Sequence, residues 1–334
     1  MAVSVCSMLL CRYPVIVTLE DGQRLEVGCG RCLHCIKSKR SAWKQRLMAE
    51  WRAAKATYFC TLTYDDDALF GNFSELNPRI KTESHFYIED DDTVFYNVSK
   101  TDCQKFFKRF RRQFGELLGK FKYFLVSEFG DASGRPHYHF ILFLYDKVFY
   151  DWDIHAMMMK TWRLGSVLDA QRVRGSGAFG YICDYMYKQV GDFDIDNEDE
   201  LIITAYDSDN PDFELLQAYD IIQRCRKRPK SFVLSSRRPA IGLSYLTDAK
   251  LKWHHEDPEN NYTFVMDGYP ENIPLCGYLY RKIFGDDYKM RLVQMQRELQ
   301  IEMDDFFEQN PEGNWDNHCR EMRNFEHFLL KHKE

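Results

Sequence analysis

A predicted β-hairpin near the middle of the chain constrains the fold more than any other feature of the sequence. Residues 122–129 and 135–143 are rich in aromatic and branched side chains, and a five-residue turn that begins and ends with glycine joins them. The second segment is apolar on both faces in its later half, which is typical of a strand inside a sheet. His137 and His139 stand two positions apart near its start, so both side chains project from the same face.

The segments around this hairpin predict an α+β fold with a central, mainly antiparallel sheet flanked by helices, plus a helical C-terminal region. One helix is expected to begin at Thr101, because Gln104 three residues later completes a capping box. The other expected elements are a strand over 58–64, a helix over 150–162, a strand near 167–173, and amphipathic helices over 292–306 and 322–329.

The two histidines of the hairpin suggest a metal site. Glu128 ends the first strand nine positions before His137, so across the short turn its carboxylate is expected to face the histidines. Two imidazoles and one carboxylate suit Mg²⁺ or Mn²⁺ and leave positions open for a phosphate oxygen. Such an ion would polarise a scissile phosphate. A His-x-His pair also occurs among unrelated surface residues, and the buried strand is what favours the metal site here.

A short helix after the hairpin carries two tyrosines. Tyr181, Tyr185 and Lys188 follow the i, i+4, i+7 spacing that places side chains on one helical face. Tyrosine has an ordinary pKa near ~10 and needs a metal or a positive charge to act as a nucleophile, and Lys188 would supply charge. Simple packing is the alternative, since the chain has 20 tyrosines. Together with the histidines, the tyrosines indicate phosphodiester cleavage through a phosphotyrosine bond.

The charge of the chain is unevenly distributed. The formal net charge of −6 excludes a uniformly basic nucleic-acid binder. Residues 1–190, however, carry 27 Lys and Arg against 22 Asp and Glu, so the part with the motifs is basic. Aromatic residues interleave its basic segments, which favours DNA contact over a merely solvated helix face. The residues expected to contact DNA are Lys37, Arg40, Lys44, Lys108, Arg109, Arg112, Arg237 and Arg238.

The eleven cysteines suggest a second metal site. We expect neither a signal peptide nor a membrane span, so a reducing compartment favours metal ligands over disulfides. Cys29, Cys32 and Cys35 have the close spacing of thiolate ligands, and Cys6 or Cys11 would complete a tetrahedral, structural Zn²⁺ site. Free buried cysteines are the alternative, and an iron–sulfur cluster would require further motif support.

Composition and motifs divide the chain into four expected segments. The stretch 191–214 holds ten acidic side chains and no Lys or Arg, which predicts a solvated insertion. The expected segments are 1–55 with N-terminal strands, the cysteine cluster and a basic helix, 56–190 with the nuclease core, 191–215 with the acidic insertion, and 216–334 with a basic segment and C-terminal helices.

Several of these motifs occur in an order that is known from one superfamily. The set comprises Phe59-Cys60-Thr61-Leu62-Thr63-Tyr64, Ser127-Glu128-Phe129-Gly130, Gly134-Arg135-Pro136-His137-Tyr138-His139-Phe140, the pair Tyr181 and Tyr185 with Lys188, and Ser236-Arg237-Arg238-Pro239-Ala240-Ile241-Gly242. With the N-terminal cysteines, it resembles the HUH endonucleases that initiate rolling-circle replication. Within them it is most similar to the initiators of the Microviridae, the gokushovirus type of small single-stranded-DNA phage. Asp184 departs from the pattern, which often has a basic residue there.

The resemblance implies an HUH endonuclease sandwich and a mechanism. One tyrosine would nick single-stranded DNA at the phage replication origin, forming a 5′-phosphotyrosine and a free 3′ hydroxyl that primes synthesis. The other tyrosine would cleave the regenerated origin so that a circle closes. It further implies Mg²⁺ or Mn²⁺, a host helicase and polymerase as partners, no membrane, and the cytoplasm of a bacterial host. A transposase or relaxase with the same chemistry, and a non-catalytic, zinc-containing nucleic-acid-binding protein, are the alternatives.

Overall fold

The computed structural model describes residues 14–19, 22–30, 33–70, 86–88, 94–130, 134–166, 168–185, 231–258, 261–266, 269–285, 288–311 and 313. Contacts divide the chain into two compact units, one formed by residues 50–241 and the other by residues 1–49 together with 242–334. The four segments expected from the sequence stay a prediction. The acidic insertion and the helix expected over 322–329 lie outside the described residues.

The helices and strands alternate along the chain as in an α+β protein. In chain order they are β1 (Val15–Thr18), β2 (Arg24–Val27), α1 (Leu33–Ala53), β3 (Ala56–Leu62), α2 (Asp66–Phe70), β4 (Phe86–Ile88), β5 (Val94–Tyr96), α3 (Lys100–Leu118), β6 (Phe121–Phe129), β7 (Pro136–Leu144), α4 (Asp151–Trp162), β8 (Leu168–Arg172), α5 (Gly177–Tyr185), β9 (Val233–Ser235), α6 (Asp248–Glu256), β10 (Thr263–Met266), β11 (Tyr269–Pro274), α7 (Gly277–Phe284) and α8 (Tyr288–Gln309).

A five-stranded antiparallel sheet forms the centre of the unit 50–241. Its strand order is β8-β3-β7-β6-β9, and the expected hairpin is its β6-β7 pair. This confirms the predicted mixed fold with a central antiparallel sheet flanked by helices. Strand β3 ends at Leu62 rather than at residue 64, because the chain bends away from the sheet there. The Trp162 indole N–H donates to the Thr63 carbonyl, and Gly165 lies so close to that carbonyl that a Cβ would clash with it.

One face of the sheet packs against α3 and α4 through aromatic side chains. Phe140 of β7 contacts Phe106 and Phe107 of α3 at ring-centroid distances of 5.8 and 5.3 Å. Tyr138 contacts Trp162 of α4 at 5.8 Å. All five side chains are buried, and burial of this much aromatic surface supplies the main hydrophobic stabilisation of the unit.

The predicted start of α3 at Thr101 is wrong. Ser99 is the N-cap, since its hydroxyl accepts a hydrogen bond from the Asp102 N–H and leaves Lys100 as the first helical residue. The backbone N–H of Ser99 in turn donates to the Tyr138 hydroxyl at 2.7 Å. The cap therefore also attaches the helix to β7, which explains why Ser99 is used in place of the nearby threonine.

The opposite face of the sheet carries α5 and the end of α1. Phe179 of α5 contacts Trp51 at a centroid distance of 5.3 Å. Lys122 of β6 forms a buried ion pair with Glu50 at 2.7 Å, and the Tyr145 hydroxyl also donates to that carboxylate. Two donors therefore compensate the buried negative charge of Glu50.

The unit formed by residues 1–49 and 242–334 has its own core. The hairpin β10-β11 packs with α7 around buried residues such as Tyr245, Phe264 and Leu279. The Gln45 amide donates to the Pro274 carbonyl at 2.7 Å, and its oxygen accepts from the Cys276 N–H at 2.8 Å. Among the helices of the described part of the chain, none is both long and apolar enough to cross a membrane.

Candidate active site

Glu128 and His139 meet on the α5 face of the central sheet. Glu128 lies opposite His137 in the β6-β7 register, while His139 lies between Val126 of β6 and Thr61 of β3. The Nε2 atom of His139 is 3.0 Å from Glu128 Oε2, and its Nδ1 atom is 3.0 Å from the Thr61 hydroxyl. Both side chains are largely buried, so neighbouring atoms hold the pair with little competition from water.

His137 lies on the same face, and its ring is parallel to that of His139 at a centroid distance of 6.5 Å. Its Nδ1 atom is 2.9 Å from the Arg135 carbonyl. Burial lowers the pKa of His137, so the ring is neutral at pH 7 and donates the Nδ1 proton to that carbonyl. Gly130 is required beside it, because a Cβ there would lie 2.9 Å from the imidazole.

These contacts determine which atoms are available to a cation. With Nδ1 of His137 protonated, its Nε2 atom keeps a lone pair, which is the arrangement of a metal-bound histidine. The Nε2 atom of His139 faces a carboxylate oxygen, so a proton or a cation has to lie between them. The donor types fit Mg²⁺ or Mn²⁺. Across the described ranges, however, no three His, Cys, Asp or Glu side chains are close enough together to hold a metal ion. The three-residue metal site stays a prediction.

Both predicted tyrosines lie beside this pair. The Tyr185 ring stacks on the His139 ring at a centroid distance of 4.2 Å and an interplanar angle of 9°. Its hydroxyl donates to that of Tyr181, whose ring also contacts Phe59 of β3 at 5.7 Å. Tyr185 is only 7% exposed whereas Tyr181 is 55% exposed, so the two phenols differ in access to solvent. Lys188 lies outside the described residues.

A cavity of about 560 Å³ opens beside Tyr181 and His139. Asp169 of β8 lies at its wall directly opposite Thr61 in the β3-β8 register. Arg172 and Arg174 line the same cavity and are exposed. None of these three residues was singled out from the sequence. The strand that carries them was predicted, and alternation along it places Asp169 and Gln171 on one face, but only the pairing with β3 reveals that this is the face of His139.

A buried polar network fixes β7 from the other side of the sheet. The Tyr64 hydroxyl donates to Asp102 at 3.1 Å and lies 3.0 Å from the Tyr138 hydroxyl. Burial raises the pKa of both tyrosines, so both hydroxyls remain protonated. Tyr138 stands between His137 and His139 in the strand, and this network therefore helps to set the position of both imidazoles.

The predicted DNA-contacting residues occupy different surroundings. Arg109 donates to the carbonyls of Thr161 and Trp162, at 2.7 and 3.1 Å, and so satisfies the C-terminal end of α4. The Lys37 side chain lies outside the description. The remaining six are exposed, namely Arg40 and Lys44 on α1, Lys108 and Arg112 on α3, and Arg237 and Arg238 after β9.

Two of the predicted zinc ligands lie together. The sulfur atoms of Cys29 and Cys35 are 3.9 Å apart. Two thiolates on one tetrahedral zinc ion would be separated by about 3.8 Å, given Zn–S bonds of about 2.3 Å. Cys6, Cys11 and Cys32 lie outside the described residues, so the zinc site stays a prediction.

Comparison with known proteins gives a match over the region of this site. Residues 57–190 match the model of a family described as replication-associated protein ORF2. The matched region runs from β3 to beyond α5 and contains Glu128, both histidines and both tyrosines of the site. No curated protein and no solved structure matches the chain. The match supports a role as an initiator of rolling-circle replication.

Proposed function

We propose that this protein initiates rolling-circle replication by nicking and rejoining single-stranded DNA through a 5′-phosphotyrosine intermediate. The observation that carries the proposal is the stacking of Tyr185 on His139, at 4.2 Å, with the Tyr181 hydroxyl bonded to that of Tyr185. Two phenols on one short helix thereby lie beside an imidazole–carboxylate pair. The family match supports the biological role, and this geometry supports the chemistry.

Glu128, His137 and His139 would hold Mg²⁺ or Mn²⁺. A bound ion would supply charge that polarises the scissile phosphate. The residues themselves do the remaining work: Thr61 orients His139, and the Arg135 carbonyl keeps the Nδ1 proton on His137. The buried setting keeps these partners in place when DNA binds.

Tyr181 is the first nucleophile in this mechanism, because it is the exposed phenol and lines the cavity with Arg172 and Arg174. The two guanidiniums neutralise the phosphate as it enters. The phenolic oxygen forms a bond to phosphorus, and the bond from phosphorus to the 3′ oxygen breaks. The leaving oxygen takes the electron pair, and one proton equivalent passes from the phenol to the new 3′ hydroxyl. The phosphotyrosine retains the bond energy, so no ATP is consumed.

Tyr185 performs the second cleavage after one round of synthesis. Its oxygen attacks the regenerated origin phosphate, and the released 3′ hydroxyl attacks the first phosphotyrosine, which closes a circle and restores the Tyr181 phenol. In this proposal a host polymerase behind a host helicase extends the first 3′ end, in the cytoplasm of a bacterium. The source would be a phage of the Microviridae, of gokushovirus type.

The proposal is tested by trapping the covalent intermediate. The full chain is incubated with Mn²⁺ and single-stranded DNA that covers the source genome, and a denaturant-resistant adduct is sought. We expect an adduct with the wild type and none with Tyr181→Phe/Tyr185→Phe or His137→Ala. Tyr150→Phe is the matched control, because Tyr150 is another exposed tyrosine, at 65%, and lies at the start of α4. Peptide mass spectrometry of the first adduct should place the DNA on Tyr181.

An adduct that persists in the double tyrosine variant would overturn the proposal. If a folded, Mn²⁺-loaded wild type binds DNA yet forms no adduct, a non-catalytic nucleic-acid-binding protein becomes the better description. A joined product without origin preference would favour a transposase or relaxase instead.

We also propose that Cys29, Cys32 and Cys35 hold a structural Zn²⁺ ion, with Cys6 or Cys11 as the fourth ligand. The 3.9 Å separation of the Cys29 and Cys35 sulfurs supports this. Elemental analysis should find about one zinc per chain in the purified protein, and Cys35→Ser should lower that content. Zinc-free protein with unchanged thermal stability would contradict it.

A further inference from the structure

A second cleft lies on the other side of the central sheet from the tyrosines. It has a volume of about 1170 Å³ and runs between α3 and the edge of the sheet at β9. Phe121 and Tyr123, which project from the α3 face of β6, form part of its wall. None of the residues that line it also lines the cavity beside Tyr181. The two openings are therefore separate sites of one unit.

The lining of this cleft is strongly basic. It contains five cationic side chains and no Asp or Glu. The five are Lys100, Arg111, Lys120, Arg237 and Arg238. Within the described part of the chain, none of the five has an ion-pair partner. The carboxylate of Asp146 lies near one end, outside the lining, and accepts the backbone N–H of Lys120 at 2.7 Å. In a chain of net charge −6, such an unneutralised group in a concave site focuses a positive potential.

The walls of the cleft are held in place by packing. Lys100, Gln104 and Arg111 recur on α3 at helical spacing, so they form one stripe. The Arg111 guanidinium lies 4.8 Å from the centre of the Phe121 ring, which restrains it. The Tyr123 ring stacks on Phe107 at 3.5 Å and is fixed as well. The cations therefore project from a rigid surface and lose little conformational entropy when a ligand binds.

We propose that this cleft binds the phosphodiester backbone of single-stranded DNA, at a site distinct from the tyrosine site. Five cations on three separate segments exceed what one phosphate would engage, whereas a strand presents a phosphate at every nucleotide. A basic groove with aromatic walls is the typical surface for single-stranded nucleic acid. Because the contacts are to phosphates, binding here is independent of sequence. The inference goes beyond the proposed nicking reaction and does not depend on it.

The test measures binding without cleavage. Fluorescence anisotropy with a labelled oligodeoxythymidine is recorded for the full chain carrying Tyr181→Phe/Tyr185→Phe, over a series of salt concentrations. Adding Arg237→Ala/Arg238→Ala should weaken binding about tenfold at low salt and reduce the slope of log K against log salt by about 1.4, or roughly 0.7 per lost contact. Arg237→Lys/Arg238→Lys should keep most of the affinity, since it keeps the charge.

Lys160→Ala/Lys252→Ala is the charge-matched control. Both lysines are exposed and lie outside the cleft, so the affinity should change less than twofold. Arg111→Ala, from the other wall, should weaken binding as the arginine pair does. If the arginine variants bind with unchanged affinity and salt slope, or if the lysine control loses as much, the cleft is not a DNA site.

This result is independent of the fate of the nicking reaction. Arginine-dependent binding without any adduct from the wild type would overturn the nuclease and leave the cleft standing. An adduct from the wild type with arginine-independent binding would do the reverse.

Discussion

Successive residues of β7 face two different environments. Tyr138 and Phe140 point towards α3 and α4, are fully buried, and contact other aromatic rings. His137 and His139 point towards α5, are only partly buried, and have polar partners instead. One strand thus contributes stability on one face and chemistry on the other, because the side chains of a strand alternate with a period of two.

The difference between the faces indicates how this unit tolerates a reactive cluster. The aromatic face supplies the hydrophobic free energy that the polar face cannot supply. Changes on the aromatic face should therefore lower the free energy of unfolding, and changes on the histidine face should lower activity. Four substitutions can break or sharpen this division.

The largest effect is expected from the aromatic face. Phe140→Ala removes a ring that contacts Phe106 and Phe107, and the resulting cavity should lower the free energy of unfolding by about 3–5 kcal/mol. Urea denaturation measures this. Adduct formation per folded molecule should be retained, because no group of the candidate site is removed.

Its neighbour on the opposite face is the control. His139→Ala should abolish the adduct with a much smaller loss of stability, since the imidazole is partly buried and bonded to polar groups. If the two substitutions destabilise the protein equally, the two faces are not divided in the way proposed.

Lys122 tests an expected exception, a residue of the histidine-facing side of β6 that acts in stability. Lys122→Met leaves the Glu50 carboxylate buried with Tyr145 as a remaining donor. The free energy of unfolding should fall by roughly 3 kcal/mol, the lower end for a broken buried pair. The double variant Lys122→Met/Glu50→Gln should recover part of the loss in the same denaturation experiment. No recovery would mean that the ion pair is not the origin of the effect.

Thr61 and Thr57 provide a matched pair on one strand and one face of β3. Thr61→Val removes the hydroxyl that contacts His139 Nδ1, and we expect a loss of about 10- to 100-fold in adduct formation. Thr57→Val is the control, because the buried Thr57 hydroxyl has no hydrogen-bond partner among the described residues. The control should keep full activity and gain slightly in stability. Equal activity losses in both would refute the orienting role of Thr61.

The sequence predicted the parts of this division that depend on local periodicity. The hairpin was expected over 122–129 and 135–143 and is observed over Phe121–Phe129 and Pro136–Leu144. The shared face of His137 and His139 and that of Tyr181 and Tyr185 follow from strand and helix spacing. These are properties of single segments, so they can be read without knowledge of the remainder of the fold.

Other parts depend on which distant segments meet. The wall formed by Asp169 requires the pairing of β8 with β3, and the basic cleft requires Arg237 to approach α3. The Ser99 cap was missed because Thr101 offers an equally good local pattern, and the contact with Tyr138 decides between them. Likewise, Arg109 was read as a surface cation, whereas its approach to the end of α4 gives it carbonyl partners.

The smallest effect concerns a histidine in the other unit and asks whether burial alone separates structural from functional histidines. His254 is fully buried, with one ring nitrogen 3.0 Å from the Tyr245 hydroxyl and the other donating to the Asn261 carbonyl. Burial lowers its pKa, so the folded chain keeps it neutral while the unfolded chain takes up a proton below its ordinary pKa of about 6.5. The unfolded state then binds more protons, and stability falls as the pH falls below that value, by at most about 1.4 kcal/mol per pH unit for one group. Hydrogen exchange of the α6 amides between pH 7.5 and 5.5 should show this loss, and His254→Gln should remove most of the pH dependence. An unchanged dependence in the variant would assign it to other groups and leave His254 as a neutral packing residue.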